Sequence, residues 1–202
     1  MMGWLRMAGR AGFAAAAAPD TAALMARLVA GDATALEPLY RREAAAVYRY
    51  ALALSGNNAA WAADAMQDAF VALAGQPAAW DARRGSLGAY LAGMARHSLL
   101  ARWREAGRHP EPPEDEAQAP AAPEASPEEL LVRSQSQAAL WQALQALPWA
   151  FREALVLVDL QERPYAEAAD IAGIAVNTLR TRLHRGRQKL AALLNADPGA
   201  LP

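Results

Sequence analysis

An all-α fold, built as two small helical bundles joined by a flexible acidic Pro-rich linker, is predicted by three observations. Ala supplies 54 of the 202 residues, and Ala is the strongest helix former. Large apolar residues recur at intervals of three and four, and no stretch alternates over the length of a strand. Prolines and acids crowd into one central segment that divides the helical pattern in two. The 54% hydrophobic fraction is soft, because only 38 residues are Leu, Ile, Val or Phe.

Composition removes several function classes. The absence of Cys excludes a disulfide framework, a thiolate metal site and a Cys nucleophile. Three scattered histidines, His97, His109 and His184, do not suggest a metal centre. No uncharged apolar run reaches the roughly 18 residues a bilayer span requires. Arg6 and Arg10 followed by the run Ala11 to Ala18 and Pro19 loosely resemble a signal peptide, but the run is short, rich in Ala and poor in Leu. Residues 1–19 are therefore read as a disordered extension, and the chain as cytoplasmic, without membrane insertion, metal or cofactor.

Along 20–104 the pattern is helical with few breaks. Asp32 is a candidate cap for a helix carrying Leu36, Leu39, Tyr40, Val47, Tyr50, Ala51 and Leu54 on one face. Gly56-Asn57-Asn58 ends it in a turn. A second helix is expected from about Trp61 to Leu73. A third starts after the cap Ser86 and runs to Arg104. The loop between them, from Gly75 to Ser86, holds Trp80, Asp81, Arg83 and Arg84. Residues 105–129 hold eight acids against one Arg, with prolines at 110, 112, 113, 120, 123 and 127, and little to bury: a flexible tether.

Helical signals return in 130–195. Ser126-Pro127-Glu128-Glu129 reads as a capping box with Pro at the first helical position. Leu130, Gln137, Leu140, Leu144 and Leu147 follow at helical spacing. Pro148 starts another helix with Phe151, Leu155, Val158 and Leu160. Two short helices, Pro164–Ala172 and Val176–Leu194, meet at Gly173, and 196–202 form a disordered tail.

That last pair has the form of a helix-turn-helix. Leu179, Leu183, Gly186 and Leu190 stay within about a 60° stripe, the expected buried seam. The other side chains, Arg180, Arg182, His184, Arg185, Arg187 and Lys189 with Thr178, Thr181 and Gln188, are expected to point outward. Residues 180–189 carry five positive charges and no acid, whereas an ordinary solvated face mixes signs. Arg suits bidentate contact with guanine and with phosphate, and a basic second helix suits the major groove.

The first bundle offers two further surfaces. On the second helix Met66, Phe70 and Leu73, with Ala62 and Ala69, form the apolar stripe, and Asp64, Gln67, Asp68 and Val71 lie opposite. Asp64 and Asp68 have no accompanying base or ligand set, so a catalytic pair is disfavoured. On the third helix Leu87, Tyr90, Leu91 and Met94 share a face, while Arg96, Leu99, Leu100 and Trp103 project elsewhere, near Arg102 and Arg104. Arg interleaved with aromatics suits single-stranded nucleic acid, where bases stack and Arg neutralises phosphate. Trp80 beside Arg83 and Arg84 continues that theme. Trp80 and Trp103 are equally readable as core aromatics.

Taken in order, these segments resemble the bacterial sigma factors of the extracytoplasmic-function group. Ala63-Asp64-Ala65-Met66-Gln67-Asp68-Ala69-Phe70 is similar to the family's A-E-D-x-x-Q-x-x-F. Leu91-Ala92-Gly93-Met94-Ala95-Arg96-His97 is similar to W-L-x-x-I-A-R-N. Leu144-Gln145-Ala146-Leu147-Pro148, with Arg152 and Leu155, resembles the opening of region 4. Tyr165 to Ala169 and Asn177 to Arg185 resemble its helix-turn-helix. Each motif is weak alone; their order, spacing and intervening linker make the match specific. Departures are Ala63 for Glu, Tyr90 for Trp, His97 for Asn, Ala101 for Asp and Ala168 for Ile.

The resemblance implies a transcription initiation factor, not an enzyme. Asp64, Gln67, Asp68 and Val71 would bind the clamp of the polymerase largest subunit. The −10 element would be opened and read by Trp80, Asp81, Arg83, Arg84, Arg96 and Trp103. The −35 element would be read by Asn177, Thr178, Arg180, Thr181, Arg182, His184, Arg185 and Arg187, with the second domain seated on the polymerase flap. An anti-sigma factor is an expected further partner. Two other readings stay open: a helix-turn-helix regulator working without sigma activity, and an interaction protein that mimics or sequesters sigma factors. The net charge of −1 does not argue against DNA. Residues 1–104 carry 11 basic against 7 acidic side chains and 130–202 carry 8 against 6, and the linker's acids mask both excesses.

Overall fold

The computed structural model describes residues 20–107 and 137–195, and among them there are helices and turns but no strand. The capping box at Ser126, Leu130, most of the acidic linker and both terminal extensions lie outside the described residues.

The first bundle has four helices: α1 (Thr21–Val29), α2 (Leu36–Leu54), α3 (Ala59–Gly75) and α4 (Leu87–Glu105). Short polar side chains set where they begin. Asp32 accepts from the Thr34 N–H and opens a single 3₁₀ turn that leads into α2. Asn58 caps α3 through the Trp61 N–H, and Ser86 caps α4 through the Ala89 N–H. Each such cap meets a backbone donor that the helix itself cannot. Helix α3 exceeds the expected 61–73 by two residues at each end. The capping Asn58, in place of the turn alone, fixes its start.

Alanine allows these helices to approach closely. Ala62, Ala65 and Ala69 of α3 and Ala92 and Ala95 of α4 are buried, and Leu39, Leu54, Leu73, Leu91 and Leu99 fill the remaining space. Leu99 was expected to project away from the Leu87–Leu91 face. It is fully buried because α4 is wrapped by α2, α3 and the second bundle. A helix enclosed on several sides needs no single apolar stripe.

The second bundle comprises α5 (Gln137–Ala146), α6 (Trp149–Leu155), α7 (Tyr165–Ala172) and α8 (Val176–Asn195). Arg152 ties the α5–α6 corner, donating to the Gln145 and Leu147 carbonyls at 2.7 and 2.9 Å. These are orphan carbonyls of a helix C-terminus, which a cation satisfies well. Helix α6 continues as a π-helical turn, Val156–Leu160, which periodicity alone does not reveal. It leaves Leu160 exposed although Leu160 was expected on the apolar face. Gly173, at φ +67°, ends α7 in the left-handed conformation, and the Gly173 and Ile174 N–H groups bond back to Asp170 and Ala169. A Gly there carries no Cβ penalty. Ala168 is fully buried in this motif.

Candidate nucleic-acid interface

Helix α8 presents the basic surface. Its buried seam is Leu179, Leu183, Gly186 and Leu190, as the spacing predicts. A Cβ at Gly186 would lie 3.3–3.4 Å from Leu155 and Phe151, so Gly186 sets how closely α8 approaches α6. Asn177 and Arg180 are exposed, and Thr178, Thr181, Arg182, His184 and Arg185 are partly exposed. The Thr181 hydroxyl donates to the Asn177 carbonyl at 3.1 Å. The Arg180 guanidinium sits 5.8 Å from the Tyr165 ring centroid, which links the two members of the motif.

Arg187 corrects the expected outward set. It is only 8% exposed, and its guanidinium takes both carboxylate oxygens of Asp159 at 2.7 and 3.0 Å. The hydrogen bond to Asp159 raises its pKa, outweighing the burial that would lower it. At i+4 from Leu183, and next to Gly186, it lies at the edge of the seam. The π turn brings Asp159 there.

In the first bundle, Asp64 and Asp68 face α4, where Arg102 approaches them at 3.1 and 3.5 Å and the Ser98 hydroxyl donates to Asp68 at 2.6 Å. Gln67 and Val71 lie at the other edge of the same face, on the α2 side. There Leu36, Tyr40, Met66, Phe70 and Ala74 join them around an apolar groove of about 330 Å³. Tyr40 and Phe70 rings pack at 4.8 Å, while Tyr40 and Val71 remain 43% and 63% exposed. The four expected residues thus share one face of α3 but divide between a charged edge and a greasy one.

The α3–α4 loop is folded by its own charges. Asp81 accepts from the Arg83 backbone N–H at 3.0 Å and from its guanidinium at 2.8 Å. That hydrogen bonding holds the Asp81 carboxyl below its usual range and raises Arg83. Arg83 and Arg84 are exposed, and Trp80 packs partly against the core.

Arg96 and Trp103 are not on an open surface. The Arg96 Nε donates to Glu153 Oε1 at 2.7 Å, and the Tyr50 hydroxyl donates to the same oxygen at 2.9 Å. Trp103 stacks edge-on between Trp61 at 5.2 Å and Trp149 at 6.4 Å. Glu153 and Trp149 belong to the second bundle, which therefore covers this part of α4. Burial, and then the neighbouring carboxylate, push the Tyr50 phenol well above its ordinary value. Burial acts to lower Arg96, but Glu153 outweighs it and the net direction is upward. Around this centre Gln145 and Arg152 donate to the Ala53 carbonyl, Gln161 to the Ala46 carbonyl, and Ser86 to Glu167. Glu167 also pairs with Arg163.

Sequence reasoning gave Tyr50 only as an apolar-face residue and did not single out Glu153, Trp149 or Trp61. One signal was legible: Glu153 is the one acid between Phe151 and Leu157, beside Arg152 and otherwise among apolar residues, where a buried ionised group needs a partner.

Among the described residues no group of His, Asp and Glu could hold a metal, and no helix is long and apolar enough to cross a membrane. The Sigma-70 region 2 family matches residues 39–109, and the Sigma-70, region 4 family matches 137–190. The chain is 34% identical over 165 residues to the ECF RNA polymerase sigma factor SigE of Mycolicibacterium smegmatis, covering 79% of this chain and 63% of that one. It is 32% identical over 175 residues to SigM of Mycobacterium tuberculosis, covering 87% and 85%. The fold is similar to that of the sigma factor RpoE in complex with the anti-sigma factor NepR from Bartonella quintana. There the TM-score is 0.61 at 25% identity, over 80% of this chain and 97% of that one. Two helical units in the family's order, carrying its motifs on the expected helices, make this chain a member of the extracytoplasmic-function RNA polymerase sigma factors.

Proposed function

We propose that the chain binds core RNA polymerase and directs promoter-specific transcription initiation, the first bundle acting as region 2 and the second as region 4. The observation that carries this reading is that both units stand in family order on one chain, with a basic helix exposed as the second member of the helix-turn-helix. Region 2 docks on the clamp of the largest subunit through the α3 face of Asp64, Gln67, Asp68 and Val71. The apolar groove beside Val71 supports that assignment, because a partner helix can bury its own apolar side there.

The −10 element is opened and read by the loop bearing Trp80, Asp81, Arg83 and Arg84 together with Arg96 and Trp103. Extruding a base costs a few kcal/mol, so polymerase contacts must share that cost. Region 4 sits on the flap and reads the −35 element through Asn177, Thr178, Arg180, Thr181, Arg182, His184 and Arg185. An anti-sigma factor is the expected antagonist, as RpoE has in the structure above.

Run-off transcription with purified core polymerase on a library of promoter fragments tests the proposal. Initiation that depends on this chain supports it. Duplex binding without initiation overturns it in favour of a helix-turn-helix regulator. Arg182→Ala is expected to weaken −35 recognition by about 1–3 kcal/mol in a sequence-dependent manner if Arg182 makes a bidentate base contact.

A further inference from the structure

The contact between the two bundles sets charged and polar groups within an apolar core that runs on through both. Its centre is one carboxylate, Glu153, 1% exposed, whose Oε1 takes both the Arg96 guanidinium and the Tyr50 hydroxyl. Its Oε2 is buried and has no hydrogen-bond partner among the described residues. The same holds for Arg152 Nε, Trp103 Nε1 and Trp149 Nε1, all at this seam. The charge pair favours closure. Desolvating a half-satisfied carboxylate and three further polar atoms opposes it, and such terms nearly cancel in buried ion pairs. The other seam bonds, Gln145 and Arg152 to the Ala53 carbonyl, Gln161 to the Ala46 carbonyl and Ser86 to Glu167, engage groups that water could also serve.

The seam also covers selectively. It covers most of Arg96 and packs Trp149 against Trp103, so that two of the side chains assigned to the −10 element, Arg96 and Trp103, are held under it. It leaves Asn177 and Arg180 of α8 exposed. It leaves the rim of the α2–α3 groove, Tyr40 and Val71, open as well.

We propose that this arrangement is an autoinhibited form of the chain: Glu153 is an intramolecular latch that holds region 4 over the Arg96–Trp103 face, and core polymerase, docking on the exposed groove, releases it. The proposal rests on the sigma-factor reading for the identity of the releasing partner. The latch itself is a property of the free chain. Glu153 and Tyr50 act by position alone and touch no nucleic acid.

Because the chain lacks Cys, a single pair of introduced thiols, Ala63→Cys and Ala192→Cys at exposed positions, can carry a donor and an acceptor dye. Energy transfer in the free full-length chain should show one compact population. Glu153→Gln should raise the open-to-closed ratio about tenfold, the effect of removing one charge-assisted bond. Tyr50→Phe should raise it by less. Adding core polymerase should open the wild type, and the Glu153→Gln chain should show a faster loss of transfer on mixing. If Glu153→Gln fails to fold, Gln161→Ala, at a partly exposed seam position, should give a smaller shift in the same direction.

Equal transfer in the wild type and the seam variants overturns the latch. So does a wild type that keeps its transfer while supporting initiation. A chain that opens on Glu153→Gln but gives no initiation with polymerase retains the latch and loses the sigma reading, so the two failures are separable.

Discussion

The interior of the first bundle and the seam between the bundles bury comparable side chains by different means. Inside the bundle, Leu39, Leu54, Leu73, Leu91 and Leu99 meet a lattice of buried alanines, with no ionised group among them. At the seam, Tyr50, Arg96, Arg152 and Glu153 share the space with Trp103 and Trp149. Apolar burial is non-directional and hard to reverse, at roughly 25 cal/mol per Å². A buried ion pair is a balance of large terms that leaves little net stability. On the proposed latch, the bundle persists while the seam parts.

The largest expected effect falls on the bundle side of that contrast. Leu91 is fully buried in the N-terminal half of α4. Leu91→Ala should cost about 2–5 kcal/mol in the unfolding of the first bundle, the usual range for a buried Leu truncation. Urea unfolding followed by circular dichroism measures it. If Leu91→Ala changed stability no more than Tyr50→Phe does, the distinction between interior and seam would fail.

A middle-sized effect is expected within the second bundle. Arg187→Ala removes a bidentate partner from Asp159, which is itself mostly buried, with side chains 10% and 16% exposed. The loss should be about 1–3 kcal/mol of region 4 stability. The salt dependence of duplex binding should stay unchanged, whereas Arg180→Ala should reduce that slope by about one. An Arg187→Ala variant that folds as stably as wild type but loses slope would return Arg187 to the DNA-reading set.

The Arg187 result shows where sequence reading stops. Period and capping are local properties. Ser86, Asn57-Asn58, Pro148 and Gly173 therefore mark element ends within about two residues, and the Leu179–Leu190 seam follows from angle alone. Which cation on a basic helix turns inward depends on an acid 28 positions away, delivered by a π turn that no periodicity encodes. The same limit applies to Arg96 and Trp103. Arg beside an aromatic signals affinity for phosphate and bases, but an acid and a Trp on the other bundle satisfy the same chemistry. The residue types were legible, and the choice between two competing occupants was not.

The smallest expected effect tests the seam's outer edge. Glu43 of α2 lies beside the start of α4, close enough that a Cβ at Gly88 would meet its Oε2 at 2.7 Å and Arg163 Nη2 at 3.4 Å. Burial raises the Glu43 carboxyl above its ordinary value, and the attraction of Arg163 and Arg42 only partly offsets this. A carboxyl raised in the folded state binds its proton more tightly there than in the unfolded chain. Its contribution is therefore most favourable below the unfolded pKa and is lost as pH rises through the folded one. At neutral pH the ionised Glu43 is a net cost, and Glu43→Gln removes it. The thermal midpoint of Glu43→Gln should match wild type near pH 4 and rise above it by a degree or so towards pH 7, on the scale of a few tenths of a kcal/mol. A difference of the opposite sign would mean that Arg163 at the seam stabilises the charge more than burial penalises it. The outer edge would then be held by ion pairing, as the centre is at Glu153.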